Sequence, residues 1–394
     1  MNARGKWWFP NKPDAVFYGD FRFDEQTGPI LEIIGNPFLN QERECDLILG
    51  ILEDNQKITL FQCYLRKSYS LVGTFQMYDY KSQFCFIGVH FDDVNQIKFT
   101  SMTIKYSNID SFISDYSLIY DPLKKEQYNI DPRRVHIENY CELLIYPESD
   151  TLKSDLFFEI QSHRDKSIRD YIELKSILLD FLNFVTSKEV FIELIYATPE
   201  NEKYSSKVKL LYRSSRHKPT HIDQKVMFKP EVASLLFHYA KISLKFENIL
   251  TKWFDLSYRL KHVYDLYFGV VYSIDQYDIY RFLMLTTAAE VYHGLKTGKK
   301  NTLFVKRIKE IYEIFPKLTS KLLAFKEVDK AAKDIEETRH YYTHYDPKRE
   351  PNAAKDDKLF WLTKDLQFVL QLCLLKEMGF DNKRIEEIFH LDKM

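Results

Sequence analysis

The 394-residue chain has little glycine and proline, with 11 and 13 residues respectively. This scarcity excludes collagen-like and low-complexity chains, and a hydrophobic content of 45% with 15% aromatic residues indicates an ordered globular protein. The sequence contains no run of about 18 apolar residues and no apolar segment next to its first methionine. We therefore expect a cytoplasmic protein.

Cysteine is also sparse, because the chain has five residues of this type and none forms a CxxC pair. This pattern favours neither a disulfide framework nor a zinc ribbon, and Cys373, on an apolar helical stripe, is expected to be a core thiol. The GxxxxGK[S/T], GxGxxG and GxSxG motifs are absent. NTP hydrolysis, dinucleotide redox chemistry and the common serine-hydrolase arrangement thus lack support, and we expect no cofactor and no bound metal.

Charge of one sign is not in excess, since 56 Lys and Arg face 57 Asp and Glu and the formal net charge is −1. The balance excludes a globally basic nucleic-acid-binding protein, so an RNA contact requires a local patch. Residues 296–309 contain no acid and form such a patch. Its basic residues are Lys296, Lys299, Lys300, Lys306, Arg307 and Lys309. They predict a surface that binds an RNA backbone, with a solvated helix face as the alternative.

Short β-branched and aromatic runs dominate the chain to about residue 166 and return after a helical segment at 171–185. The runs are 16–18, 30–34, 47–49, 58–61, 84–87, 102–106, 143–146, 191–196 and 208–212. Turn residues such as 53–55 and 147–150 separate them. The pattern predicts an antiparallel sandwich or barrel with at least one helix.

After about residue 225 the hydrophobic period changes from two to 3.6. Predicted helices are 230–242, 244–272 with a break at Gly269, 277–295, 302–315, 328–345, 358–378 and 382–389. The expected stops are Gly294, Gly298, Pro316, Pro347 and Gly379. The predicted fold class is therefore α+β with two domains, a mainly antiparallel β domain at 1–225 and an all-helical bundle at 226–394.

The clearest chemical signal is Arg339-x4-His344 at the end of a predicted helix. Histidine can take and give a proton near neutral pH, and arginine is a permanent donor to phosphate oxygens. Together they suffice to cleave a phosphodiester without a metal. The chain holds a second match, Arg216 to His221, so spacing alone decides nothing. That copy contains Pro219 and follows a predicted strand, which indicates a basic loop.

Arg339 lies on the apolar stripe of its predicted helix. The other members of the stripe are Val328, Ala332, Ile335 and Tyr342. An arginine at a core position indicates either a structural ion pair or a functional site. In an ideal helix Arg339 and His344 project about 140° apart, so one helix directs both at one phosphate only if it distorts. Pro347 predicts that the helix ends just past His344.

Neighbouring residues extend the candidate site. Glu290, an acid in a mostly apolar helical stretch, is expected to pair with Arg339 or orient a catalytic histidine, or else to be a plain exposed carboxylate. Three tyrosines interleave with the motif, namely Tyr341, Tyr342 and Tyr345. They are candidates for stacking on RNA bases, with core packing as the alternative.

The pattern Arg339-His340-x3-His344, at the end of a helix in a C-terminal helical segment, resembles the signature of the HEPN superfamily. With a β-rich and aromatic N-terminal region before it, the whole chain is similar to the ApeA-like anti-phage proteins, with 226–394 as the HEPN part. This resemblance implies a metal-independent endoribonuclease that acts as a dimer in bacterial antiviral defence by abortive infection.

In the predicted reaction His344 is the base on a ribose 2′-OH or the acid on the leaving 5′-oxygen, and Arg339 stabilises charge on the phosphorane. His340 supports the second proton transfer or fixes orientation. Although His340 and His344 have a spacing that can hold zinc, no suitable acid or cysteine completes that site. The expected product is a 2′,3′-cyclic phosphate. If the motif helices of two chains met at a two-fold axis, Arg339 and His344 of both chains would line one cleft.

The N-terminal domain is expected to restrain the nuclease or to sense a phage component. Two other functions remain open, namely a non-catalytic RNA- or nucleotide-binding module and the toxin of a toxin–antitoxin pair. Retained RNA binding without cleavage would favour the first, and an adjacent nucleotidyltransferase gene the second.

Overall fold

The structure, a computed structural model, describes residues 1–34, 44–70, 76–109, 112, 133–150, 153–186, 190–204, 207–213, 242, 245–273, 278–299 and 301–389. The chain divides into two compact units. Unit 1 comprises Met1–Asp110, Tyr116–Leu179 and Val190–Thr220, and unit 2 comprises Ser111–Asp115, Asp180–Glu189 and His221–Met394. The domain boundary expected between residues 225 and 226 lies outside the described residues and stays a prediction, as does most of the helix expected at 230–242.

The described part of unit 1 contains twelve strands and a helix that continues into unit 2. They are β1 (Asn2–Phe9), β2 (Lys12–Asp24), β3 (Gly28–Ile34), β4 (Glu44–Leu52), β5 (Lys57–Ser70), β6 (Gln76–Ile87), β7 (Phe99–Tyr106), β8 (Arg133–Ile137), β9 (Cys141–Asp150), β10 (Lys153–Ser162), α1 (Ile168–Val185), β11 (Ile192–Pro199) and β12 (Val208–Tyr212). The predicted runs coincide with β2–β7, β9, β11 and β12. Strands β1, β8 and β10 were not predicted.

Six strands close into an antiparallel barrel in the order β3-β2-β1-β4-β5-β6, because β6 pairs back onto β3. The second half of β6 pairs instead with β12, and the sheet continues as β12-β11-β7-β10-β9-β8. Alternate residues of β1 point into the barrel, where Trp7 is fully buried. A Cβ at Gly50 would lie 2.2 Å from the Trp7 ring, so this glycine makes room for the largest core side chain. The mainly antiparallel β architecture with one helix is confirmed, in its barrel form.

The turn expected at residues 147–150 was wrong, because these residues complete β9. Pro147 pairs with Leu156 of β10, whereas the pairing of β9 with β8 ends at Ile145. Proline has no N–H to donate, and a strand tolerates it where the neighbouring strand has already ended.

The described part of unit 2 contains eight further helices. They are α2 (Phe246–Arg259), α3 (Lys261–Tyr272), α4 (Asp278–Thr297), α5 (Phe304–Tyr312), α6 (Pro316–Leu322), α7 (Val328–His344), α8 (Asp356–Glu377) and α9 (Asn382–Ile388). Helix α8 is central, because it is buried on nearly every side and packs against α4, α5 and α9. Cys373 lies on this helix as a core thiol, as predicted, and burial raises its pKa to about 12.

Three predicted helix boundaries were wrong. The break expected at Gly269 occurs at Leu260, between α2 and α3. A Cβ at position 269 would lie 2.7 Å from Met284 Cε, so Gly269 permits close packing of α3 on α4 rather than a break. Gly294 lies inside α4, and Pro316 begins α6 instead of ending a helix. Proline is well tolerated at this position because the first helical N–H groups have no intrahelical acceptor.

The end of α1 belongs to the core of unit 2. Phe184 lies against Trp253 with ring centroids 5.0 Å apart, and the Tyr272 hydroxyl donates to Asp180 Oδ1 over 2.6 Å. Within the described chain, no helix combines the length and the apolar character that crossing a membrane requires.

Candidate functional site

The motif helix α7 packs against α4 and α5. Its buried positions are Ala331, Ala332, Ile335 and Thr338. Arg339 lies at the border of this face, with 35% of its side chain exposed. The expected apolar stripe is confirmed at Ala332 and Ile335, but its extension through Arg339 was wrong, since the core position next to the motif is Thr338. Val328 and Tyr342 are only partly buried.

Arg339 is held on two sides. Its Nη2 donates to Glu290 Oε2 of α4 over 3.0 Å, and its guanidinium carbon lies 4.4 Å from the centre of the Phe304 ring of α5. A charge-assisted hydrogen bond and a cation–π contact both fix the guanidinium plane. Arginine has five N–H donors, and the described residues engage one of them in this hydrogen bond. Because the side chain is 35% exposed, the guanidinium is partly open to solvent.

A second arginine converges on the same carboxylate. Arg307 Nη1 lies 3.7 Å from Glu290 Oε1 and donates to the Glu290 carbonyl over 3.4 Å, while its Nε donates to the Thr302 carbonyl over 2.9 Å. The Arg307 side chain is only 11% exposed. Arg307 and Arg339 thus contact different oxygens of Glu290, and α4, α5 and α7 are joined through one carboxylate.

One helical turn after Glu290, a second pair joins α4 to α5. The His293 side chain is 2% exposed and its Nε2 lies 2.6 Å from Glu310 Oε2. The hydrogen bond with His293 lowers the pKa of the Glu310 carboxyl, and the charges of Lys299 and Lys306 act in the same direction. Sequence reasoning missed this pair and the Phe304 contact. The signal that could have found the pair is the i, i+3 spacing of Glu290–His293 and of Arg307–Glu310.

The helix ends at His344, as predicted from Pro347, and the next residue, Tyr345, adopts the left-handed conformation with φ 51°. His344 is exposed, and its ring centroid lies 4.8 Å from that of His340. His340 is half-buried, and its Nδ1 has no hydrogen-bond partner among the described residues. The two rings are therefore in contact at the C-terminal end of α7, where His344 is open to solvent and Nδ1 of His340 is buried.

The chain after the motif folds back onto α7. Thr338 Oγ1 accepts from the Ala354 N–H over 2.9 Å, and the Tyr342 hydroxyl donates to the Ala354 carbonyl over 3.2 Å. Arg349 Nη1 also donates to Glu337 Oε1 over 2.7 Å. These bonds fix the last two turns of α7. They also occupy the Tyr342 hydroxyl, whereas Tyr345 is 67% exposed.

The basic patch is only partly free. Lys296 Nζ lies 2.6 Å from Glu377 Oε1, a carboxylate that also accepts from Arg259 over 2.9 Å. Burial raises the pKa of Glu377, but the hydrogen bonds from Lys296 and Arg259 outweigh it, so the pKa lies below its ordinary value. Lys309 Nζ likewise lies 2.6 Å from Asp329 Oδ1.

The exposed members of the patch are Lys296, Lys299 and Lys306, and Lys306 Nζ lies 3.9 Å from Glu310 Oε1. Lys300 lies outside the described residues, as does the second motif copy at residues 216–221. Glu377 and Asp329, which pair with Lys296 and Lys309, lie 81 and 20 residues from their partners, so the acid-free run of 296–309 did not reveal them.

Two family models match the chain. The ApeA N-terminal domain 1 matches residues 2–253, and the ApeA-like HEPN domain matches residues 283–384, a range that contains Glu290, Arg339 and His344. No curated protein and no solved structure matches the chain significantly. Since the first match alone spans more than half of the sequence and the second covers the motif helix and its partners, the chain belongs to the ApeA-like HEPN family.

Proposed function

We propose that the protein is a metal-independent endoribonuclease of bacterial anti-phage defence, with its active site at the C-terminal end of α7. The observation that carries the proposal is the one-third-exposed guanidinium of Arg339, fixed by Glu290 and Phe304, on the same last turns of α7 as the His340 and His344 rings. This set supplies a permanent positive charge and two proton-transfer groups, which is what phosphodiester cleavage through the ribose 2′-OH requires. The match to an ApeA-like HEPN domain supports the same reading.

In the proposed reaction His344 takes the proton of the ribose 2′-OH while the 2′-oxygen bonds to phosphorus. The bond between phosphorus and the 5′-oxygen then breaks. The leaving oxygen takes a proton from His340 of the same chain or from His340 of a second chain. Arg339 stabilises the negative charge of the phosphorane. The products are a 2′,3′-cyclic phosphate and a 5′-hydroxyl.

Glu290 would act as a positioning residue in this scheme. Because it accepts from Arg339 on one side and is fixed by Arg307 on the other, it keeps the guanidinium plane at the edge of α7. A carboxylate that orients an arginine also limits the attraction of adventitious anions, since it balances one positive charge. Lys299, on the α4–α5 connection, and Lys306, in the first turn of α5, are exposed and would hold the RNA backbone.

We further propose that the active site is composed of two chains. Arg339 and His344 are five residues apart in a regular helix, so they project about 140° from one another. A two-fold axis next to the exposed end of α7 would bring the arginine of one chain to the histidines of the other. The β-rich unit would then restrain or trigger this assembly when a phage component is present.

A second candidate function is a non-catalytic RNA-binding module. It is favoured by the pairing of Arg339 with Glu290, because the same ion pair would serve a purely structural role. RNA cleavage separates the two functions directly.

The test is cleavage of RNA by the full-length protein in excess EDTA, with analysis of the product ends. We expect cyclic phosphate ends with the wild type and a loss of about 10²- to 10⁴-fold with His344→Ala. The matched control is His262→Ala, an exposed histidine on α3. A Mg²⁺-dependent product with a 3′-hydroxyl would contradict the mechanism, and RNA binding by a wild type that never cleaves would favour the binding module.

A further inference from the structure

Unit 1 contains a group of metal-ligating side chains that the sequence did not reveal. His136 on β8 and Glu142 on β9 are directly opposite each other, across a tight hairpin in which Asn139 has a φ of 65°. His163 follows the last residue of β10, the strand that pairs with the other edge of β9. Three neighbouring strands thus present two imidazoles and one carboxylate at the same end of the sheet.

The ligand atoms of the three side chains lie within 4.8 Å of one another. His136 Nδ1 is 2.5 Å and His163 Nε2 is 3.9 Å from the same Glu142 Oε1. Tetrahedral zinc with bonds of about 2.0–2.1 Å separates its donor atoms by about 3.3 Å. The present separations reach that geometry through small side-chain rotations. The side chains of His136 and His163 are 52% and 35% exposed, so an ion can enter from solvent.

The backbone of His163 is fixed independently of any ligand. Its N–H donates to the Tyr140 carbonyl over 3.0 Å, at the tip of the β8–β9 hairpin. On either side of it, Ser162 Oγ donates to Asp170 and accepts from the Arg164 N–H. The segment is thereby fixed to both the hairpin and α1. Ligands held by rigid strands and by bonds of their neighbours give a preorganised site.

An ion pair between His136 and Glu142 does not account for the whole arrangement. Glu142 Oε2 is buried and has no hydrogen-bond partner among the described residues. A second imidazole also faces the same carboxylate, with the His163 and His136 ring centroids 5.4 Å apart. A cation bound by Glu142 Oε1 and both imidazoles would balance the charge of this partly buried carboxylate.

We infer that His136, Glu142 and His163 bind one divalent transition-metal ion of the zinc class. Two imidazoles and one carboxylate suit Zn²⁺ and disfavour Mg²⁺ and Ca²⁺, which prefer oxygen ligands alone. Three protein ligands leave one coordination position for water or an anionic ligand. The ion would join the β8–β9 hairpin to the β10–α1 segment in the β-rich unit. This inference is independent of the proposed nuclease, whose residues lie in unit 2.

The experiment measures Zn²⁺ bound to the full-length protein after EDTA treatment and dialysis against Zn²⁺ alone. Co²⁺ serves as a second probe, because tetrahedral coordination intensifies its visible absorption. We expect one equivalent of Zn²⁺ in the wild type and its loss in His136→Gln, Glu142→Gln and His163→Gln. Zn²⁺ should also raise the melting temperature of the wild type but not of these variants, since a ligand of the folded state stabilises it.

Two matched controls exclude other histidines. His262→Gln removes a single exposed histidine, and His344→Gln removes the i, i+4 pair at the end of α7. Both should retain the equivalent of Zn²⁺. The inference is overturned when the wild type binds no more Zn²⁺ than His163→Gln, or when His344→Gln loses the ion and His163→Gln keeps it. Thermal melting in EDTA shows which variants are folded. The Co²⁺ spectrum of the wild type tests for tetrahedral coordination without relying on the folding of any variant.

Discussion

Arg339 of the motif helix donates from Nη2 to Glu290 Oε2 of α4 over 3.0 Å, so the permanent charge of the site is fixed by a carboxylate 49 residues earlier in the chain. The Phe304 ring covers the same guanidinium at 4.4 Å. An arginine held in this way loses little conformational freedom when it binds a phosphate. The pair therefore predicts how substitutions at either residue affect cleavage.

We expect Arg339→Lys to reduce RNA cleavage nearly as much as Arg339→Ala. Lysine retains the charge but has neither the planar fork of donors nor the stacking surface for Phe304. The loss should be about 10²- to 10³-fold, as for removal of one donor to a developing oxyanion. Single-turnover cleavage at saturating protein measures it. A lysine variant within a few fold of the wild type would show that charge alone is required.

Glu290→Gln should have a smaller effect, because it loosens Arg339 without removing it. We expect a loss of about tenfold, which corresponds to ~1.4 kcal/mol of a charge-assisted hydrogen bond. In the double variant with Arg339→Ala, Glu290→Gln should cost nothing further, since its role acts through the arginine. Glu313→Gln, at an exposed acid just after the end of α5, is the control. Additive losses would assign Glu290 a role separate from Arg339.

His344→Ala should abolish cleavage and host toxicity while leaving stability within about 0.5 kcal/mol of the wild type, because the side chain is exposed at a helix end. His221→Ala, in the second Arg-x4-His match, should leave both activities within a few fold. Urea unfolding and growth after induced expression provide the two measurements. Equal toxicity of the wild type and His344→Ala at equal expression would end the nuclease assignment.

Much of this site follows from local sequence, and the remainder depends on distant contacts. Pro347 was sufficient to predict the end of α7, because a proline restricts the residue before it. The exposure of Arg339 was not predictable, since it depends on how α7 packs in the fold, which buries Thr338 and leaves Arg339 at the border of the buried face. Likewise, the pairing of Lys296 with Glu377 joins residues 81 positions apart, and no pattern within one helix indicates it.

The β-rich unit illustrates the same limit. Runs of β-branched and aromatic residues revealed most strands, whereas β1 was missed because Gly5 occupies a buried position at which the alternation requires an apolar side chain. The closure of the barrel depends on the register of β3 with β6, which the sequence of either strand does not specify. His136, Glu142 and His163 lie close together only because β8 and β10 pair with opposite edges of β9, and this strand order cannot be read from any one segment.

Two inactive variants should restore cleavage when they share one dimer. If the active site contains Arg339 of one chain and His344 of another, a dimer of Arg339→Ala with His344→Ala retains one intact combination. We expect mixtures to recover a readily measured fraction of wild-type cleavage after exchange of subunits, while each variant alone stays inactive. Sedimentation of the full-length protein establishes the dimer. Dimers without any recovery would place both residues of a site in one chain.

The buried Lys364 of α8 predicts a pH dependence of stability. Lys364 is 3% exposed, and this burial lowers the pKa of its ammonium group to about 8. The charge of Arg281 lowers the pKa further by a smaller amount, and the charge of Asp278 opposes the shift. Below pH 8 both the folded and unfolded chains carry the proton, so the full cost of burying the ammonium applies, about 3 kcal/mol for such a shift. Between this pKa and the ordinary value of 10.5, the unfolded state binds more protons and stability rises with pH.

Lys364→Met keeps the aliphatic volume and removes the charge, so we expect its free energy of unfolding at pH 7 to exceed that of the wild type by up to about 3 kcal/mol. The difference should shrink above pH 8 and nearly vanish near pH 10.5, because the wild-type lysine is then neutral in both states. Lys358→Met, on the same helix but 43% exposed in a pair with Asp334, should show no such trend. Urea unfolding at pH 7 and pH 10 measures both variants. A Lys364→Met protein that is less stable than the wild type at pH 7 would mean that the ammonium is stabilised by its surroundings rather than penalised by burial.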